Sequence, residues 1–131
     1  MKEPVWIPDA AVRAIHLELI AEYGGLLEVR DENLLQSALA RPRNLFAYGD
    51  PDLFELAATY AFGLARNHPF ADGNKRVAFA SMTVFLELNG HELVAEKADA
   101  IGTMLGLAAG KLSQTELAAW IRRNSRRIRA K

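Results

Sequence analysis

The chain contains no cysteine. Disulfide cross-links, thiol nucleophiles and every cysteine-based zinc or iron–sulfur site are thereby excluded. Histidine is scarce as well: His16, His68 and His91 are too few for a histidine-rich metal cage. No apolar run approaches the roughly 18 residues that a membrane-crossing helix needs. The opening Met1-Lys2-Glu3-Pro4 shows no signal-peptide core. The expected location is the cytoplasm, with no membrane partner. Strand-forming stretches are nearly missing. Only Val5-Trp6-Ile7 and Glu92-Leu93-Val94 could be extended, and both are too short to build a sheet. Internal repeats, low-complexity tracts and long linkers are absent too.

What is present is an ordinary globular balance in 131 residues, half of them apolar and about a quarter charged. That length suits one domain, 1–131, with a core that needs neither metal nor cross-link. Net charge is zero but unevenly spread. Residues 122–131 hold Arg122, Arg123, Arg126, Arg127, Arg129 and Lys131 and no acid, leaving ten basic against sixteen acidic residues elsewhere. Such a tail could grip an acidic partner or nucleic acid. The simpler reading is a solvated last helical turn whose cations complement the helix dipole. No aromatic side chain is interleaved with these arginines, so direct nucleic-acid binding is not expected.

Every segment between breaks reads as helix. Val12, Ile15, His16, Leu19, Ile20 and Tyr23 recur at helical spacing up to Gly24-Gly25. Asp31 opens a short helix that Pro42 should stop. Asp52 caps a third, with Leu53, Leu56, Ala57, Tyr60 and Leu64 on one face, running to His68-Pro69. A fourth starts at Gly73-Asn74 and runs to Asn89-Gly90, apolar nearly all round, which predicts an interior position. A fifth spans about Lys97 to Ala109, and a sixth opens with the capping box Ser113-Gln114-Thr115-Glu116. The expected fold class is all-α: a compact single-domain bundle of about six helices around a central apolar helix at 73–89.

Residues 68–76 carry the chemistry: His68-Pro69-Phe70-Ala71-Asp72-Gly73-Asn74-Lys75-Arg76. They join the third helix to the central one, where a helix N-terminus offers unpaired N–H groups and partial positive charge. Gly73 permits close approach of an anion and the φ > 0 backbone of an amide nest. Lys75 and Arg76 oppose the helix dipole, an arrangement favoured only when an anion offsets them. Asp72 is either a plain N-cap or a carboxylate holding Mg²⁺ against phosphate oxygens. His68 is either a helix-end residue or the general base. Phe70 is a core anchor for the loop. The segment from Pro42 to Pro51, with Arg43, Asn44, Phe46 and Tyr48, reads as a flap for a target peptide or as an ordinary connector.

The pattern His68, Phe70, Asp72, Gly73, Asn74, Arg76 resembles the signature of the Fic/Doc superfamily, His-x-Phe-x-(Asp/Glu)-Gly-Asn-x-Arg. The flanks 60–67 and 85–90, with Arg30-Asp31 and 37–42 upstream, resemble its death-on-curing (Doc) branch, the toxins of type II toxin–antitoxin modules. Two departures set the chain apart from the AMP-transferring members: Lys75 stands where they carry a second glycine, and Phe79 where they carry a second arginine. Both resemble the Doc branch, which transfers the γ-phosphate of ATP. Gly73 is retained where some Doc members have a bulkier residue, which keeps AMP transfer open as the alternative.

The resemblance implies an ATP- and Mg²⁺-dependent protein Ser/Thr kinase toxin acting on elongation factor Tu to arrest translation. In it, His68 is the base and Asp72 holds Mg²⁺. Gly73, Asn74, Lys75 and Arg76 bind phosphates, and Lys75 and Arg76 also serve catalysis. The family's inhibitory helix has no good match; the nearest, Thr83 to Leu88, falls inside the central helix. Inhibition would then come from an antitoxin whose C-terminal helix fills a groove. A catalytically silent interaction module of the same fold is the remaining alternative.

Overall fold

Helix boundaries follow local chemistry. In the computed structural model, which describes residues 1–129, α1 (Asp9–Tyr23) follows Pro8 and ends where Gly24 adopts φ +82°. α2 (Glu32–Tyr48) is capped by Asp31, whose side chain accepts from the Leu34 amide. α3 (Leu53–Asn67) and α6 (Gln114–Arg123) each open with a reciprocal capping box, Asp52 with Glu55 and Ser113 with Glu116. Each box satisfies two amides that a helix start leaves orphaned. Accepting the Ser113 backbone N–H holds the Glu116 carboxyl below its ordinary range. α4 (Asn74–Leu88) starts behind Gly73, and α5 (Lys97–Ala108) behind Glu96.

These six helices enclose one core and make the fold all-α. α4 lies in the interior as expected and shares the centre with α3. Small residues on α3, among them Ala57, Ala58, Ala61 and Ala65, are fully buried and let neighbours close in. At Gly63 the approach of α2 is so tight that a Cβ would lie 3.2 Å from both Cα and Cβ of Ala38. Tyr60, Phe70, Phe85, Leu64, Met82 and Leu86 fill the interior around this pair. The Tyr60 hydroxyl accepts from the Ile7 amide at 3.2 Å and ties the N-terminal segment down; burial pushes its pKa up. Among the described residues no helix is long and apolar enough to cross a membrane.

Three expectations are corrected. Pro42 does not stop α2 but sits inside it, buried. A mid-helix proline costs about 3 kcal/mol and one bond to the preceding turn. Here the apolar face of Leu35, Ala38 and Pro42 packs into the core and outweighs that loss. Most of the proposed flap at Pro42–Pro51 is therefore helix, continuing to Tyr48, and only residues 49–52 connect α2 to α3.

Only the start of the basic tail is a last helical turn: Arg122 and Arg123 end α6, and the rest leaves the helix. After α6, Ser125–Arg127 form β2, antiparallel to β1 (His91–Leu93), with His91 opposite Arg127 and Leu93 opposite Ser125. Val94 N–H donates to Asn124 O and Ile128 N–H to Gly90 O, extending the ladder at both ends. Each strand is too short to stand alone, and the partner that completes it lies far away in the chain. Arg126 pairs with Glu92 at 2.6 Å and Arg122 with Asp52 at 2.5 Å. Lys131 lies outside the described residues.

Candidate active site

The segment 68–73 leaves α3 by a sharp reversal. His68 adopts a left-handed backbone (φ 51°, ψ 55°), the one non-glycine to do so among the described residues. Such a conformation is costly for a residue with a Cβ and persists where surrounding bonds hold it. Arg30 supplies them: its Nε donates to His68 O at 2.8 Å and its Nη2 to Asn67 O at 3.1 Å. The α1–α2 connection then runs alongside the loop. Arg30 and Asp31 N–H donate to Pro69 O, Ala71 N–H donates to Glu28 O, and Val29 bridges Phe70. The His68 residue itself is exposed, open to an incoming group.

Asn74 closes the loop from within. Its Oδ1 accepts from Phe70 N–H at 3.0 Å and its Nδ2 donates to Phe70 O at 2.9 Å. The ring of Phe70 is buried, as the core-anchor reading expects, and stacks on the ring of His16 at 3.9 Å between centroids and 16° between planes. His16, on α1, is itself 97 % hidden from solvent and places Nε2 3.0 Å from Asp72 O.

Asp72 is engaged on one carboxylate oxygen: Oδ2 accepts from the Leu26 amide at 2.7 Å. The approach is close enough that a Cβ on Gly25, itself at φ +116°, would meet Asp72 Cβ at 3.0 Å. Oδ1 has no protein partner among the described residues. No group of three or more His, Asp or Glu side chains there could cage a metal. One free carboxylate oxygen suits Mg²⁺, which binds through one or two carboxylates together with substrate phosphates and water.

Gly73 takes the left-handed conformation (φ 82°, ψ 14°) expected of a nest, and α4 has no side-chain cap and no acid in its first turn. Gly73 O accepts from Val77 N–H. Among the described residues nothing accepts from the amides of Gly73, Asn74, Lys75 or Arg76. Lys75 is exposed, and the Arg76 guanidinium lies 4.3 Å from the centroid of the Tyr23 ring. Neither forms an ion pair with a described carboxylate.

These four residues form one wall of a cavity of about 820 Å³. Lys97 lines it as well, and most of the remainder is apolar, with Leu19, Phe79, Ile101, Met104 and Leu105 among its side chains. Its volume is that of a small-molecule site. Anion-ready amides, three cations (Lys75, Arg76 and Lys97) and an apolar trough thus meet at one place. His68 and Asp72 flank this wall along the chain but do not line the cavity.

Four residues that shape the site, His16, Gly25, Leu26 and Arg30, carry little local signal of it. His16 matched the apolar spacing of α1, and nothing local marks its bond to a residue 56 positions away. Gly24-Gly25 reads as a plain helix stop, although the doubled glycine also suits a close backbone approach, and nothing in the sequence marks the Leu26 amide. Arg30 was noticed only for its resemblance.

Residues 6–86 match the Fic/DOC family. Over 111 residues the chain is 36 % identical to the protein kinase doc of Escherichia phage P1, covering 84 % of this chain and 87 % of that one. Over 78 residues it is 46 % identical to the toxin Doc of Mycolicibacterium smegmatis, covering 56 % of this chain and 58 % of that one. The match takes in α1 to α4, and with them the loop from His68 to Arg76 and the α1–α2 connection that braces it. On the extent of that match, the chain belongs to the Fic/DOC family.

Proposed function

We propose that the protein is a toxin of the Doc type that transfers the γ-phosphate of ATP to a Ser or Thr hydroxyl of a protein target. The observation that carries this is the uncapped start of α4, where residues with unbonded amides and two cations without a carboxylate partner line a nucleotide-sized cavity, with the exposed His68 earlier in the same loop. The name of the phage P1 relative, a protein kinase, supports phosphate as the transferred group.

His68 accepts the proton of the target hydroxyl as its oxygen bonds to the γ-phosphorus and the bond to ADP breaks. The Gly73 to Arg76 amides, Lys75 and Arg76 hold the phosphates and stabilise the charge that develops. Positioning and electrostatics supply most of the catalysis in phosphoryl transfer. Asn74 keeps the loop closed, and its one uncommitted N–H remains available to phosphate. Asp72 would hold Mg²⁺ through Oδ1, and the ion would supply charge neutralisation at the phosphate oxygens. Phe79 in the cavity wall, where AMP-transferring members have an arginine, supports γ-phosphate over AMP transfer.

Elongation factor Tu as target, and translation arrest as outcome, rest on the family resemblance. So does an antitoxin helix. The trough rim, with Ile101 and Leu105 each about half exposed, supports an amphipathic helix as its occupant.

The deciding experiment offers ATP labelled at the γ or the α position. Label from the γ position on the target, lost in His68→Ala, is expected. Label from the α position would make the protein an AMP transferase. No label from either would leave a binding module.

A further inference from the structure

We infer that His16 is a positioning residue that fixes the orientation of the Asp72–Gly73 peptide group and so aims the Gly73 amide at phosphate. The inference rests on the reading of the α4 start as a phosphate site.

Asp72 O and Gly73 N–H belong to one peptide plane, and no peptide bond in the described chain is cis. In a trans peptide the C=O and N–H point in opposite directions. Whatever pins the carbonyl therefore aims the amide. Asp72 O can only accept, so the His16 nitrogen 3.0 Å away carries the proton, which fixes the Nε2–H tautomer. With its carbonyl held towards α1, the peptide turns Gly73 N–H away from His16.

Glycine makes this lock necessary. The nest needs φ > 0 at position 73, which glycine adopts freely. The same freedom admits the flipped peptide, in which carbonyl and amide exchange places and a C=O would meet the phosphate. Nothing packs tightly on Gly73 to fix its backbone: a Cβ there would find only ordinary contacts, Ile20 Cδ1 at 3.5 Å and His16 Cδ2 at 3.8 Å. The hydrogen bond from His16 is what holds the Asp72 carbonyl. The ring is held for the task by its parallel stack on Phe70 and by burial that excludes competing water. A leucine would fill the same helical position and bury as well. Only a donor would pin the carbonyl.

The test compares wild type with His16→Phe, which keeps a stacked ring and removes the donor, and His16→Gln, which keeps a donor at nearly the same place and removes the ring. The probes are ADP with Mg²⁺ and the ¹⁵N–¹H signal of Gly73. His16→Phe is expected to bind ADP about tenfold more weakly, as one lost hydrogen bond implies, with a shifted Gly73 signal. His16→Gln should restore both. Wild-type ADP affinity in a folded His16→Phe, or equal weakening in both variants, would overturn the inference.

Should His16→Phe fail to fold, the ring nitrogens of the wild type decide. A proton on Nε2 supports the lock and a proton on Nδ1 overturns it. Wild type that binds no ADP at all would sink the phosphate site instead, while the Gly73 signal would still report the peptide orientation.

Discussion

At each end of α4 an asparagine binds its side-chain amide to the backbone of another residue: Asn74 to the N–H and C=O of Phe70, Asn89 to those of Val5. Each end also has a glycine in the left-handed region, Gly73 at φ 82° and Gly90 at φ 83°. Each has a histidine nearby, His68 and His91. The two ends nevertheless differ in completeness. At the C-terminal end, Asn89 and Gly90 N–H return to the last carbonyls of α4, and Asn89 Nδ2 also reaches Phe85 O. The His91 ring packs edge-on against Phe54, and of the local arginines Arg126 has Glu92 as partner while Arg127 stands opposite His91 without one among the described residues. At the N-terminal end the loop is braced as firmly, yet among the described residues the first amides of the helix have no acceptor and the cations beside them no carboxylate, Arg76 resting only on the Tyr23 ring. α1 and α5 also start without a side-chain cap, but each has an acid in its first turn, Asp9 and Asp99; α4 has none and carries two cations there instead, an arrangement that an anion completes.

That contrast can be broken by exchange of the same substitution between ends. The largest effect is expected from the histidines. His68→Ala should lower transfer by roughly 10²- to 10⁴-fold, the usual worth of a general base, with the melting temperature little changed. His91→Ala should leave the rate per folded molecule intact. A steady-state transfer assay with a parallel melt checks both, and equal losses would erase the distinction.

Next come the asparagines. Asn74→Ala should cost about 1–3 kcal/mol in denaturant unfolding, since it orphans the part-buried N–H and C=O of Phe70, and Asn89→Ala about 1 kcal/mol, since Val5 is exposed and water can replace the side chain there. Only Asn74→Ala should also lose activity.

A smaller and opposite effect is expected at Lys75. Lys75→Ala removes a cation that opposes the dipole and should stabilise the apo protein by about 0.3–1 kcal/mol while weakening nucleotide binding. Loss of both stability and binding would assign the lysine to the fold.

The smallest effect belongs to neither end. Arg13 joins Asp9 on α1 to Glu32 on α2, and its hydrogen bond holds the Asp9 carboxyl below the ordinary 3.8. A carboxyl depressed in the folded state contributes stability that is complete above its unfolded pKa and lost as pH falls past it. Arg13→Met should therefore show a shallower loss of stability than wild type between about pH 5 and pH 3, with unchanged activity per folded molecule at neutral pH.

Much of this arrangement was legible in the residues because it is local. Asp31, Asp52 and Ser113 start helices through side chains that reach the amide three residues on, and a capping residue carries that information by itself. The loop from His68 to Arg76 was legible for the same reason: glycine, cations and the missing acid all sit within one turn. What escaped depends on partners distant in sequence. Pro42 is tolerated in α2 only because its face is buried against the core, which a local stop rule cannot weigh. Ser125–Arg127 becomes a strand only where His91–Leu93 is offered to it. His16 differs from any other apolar-face position of α1 solely by the carbonyl that the loop brings to it.

The central claim is that the start of α4 is unfinished because phosphate completes it. A ¹⁵N–¹H titration with ADP and Mg²⁺ tests this most directly. The account predicts saturable shifts confined to Gly73, Asn74, Lys75, Arg76 and their neighbours in the cavity wall, with Gly90 and the β2 arginines silent. Shifts centred on Arg123 and Arg127, with the amides of 73–76 unmoved, would contradict it.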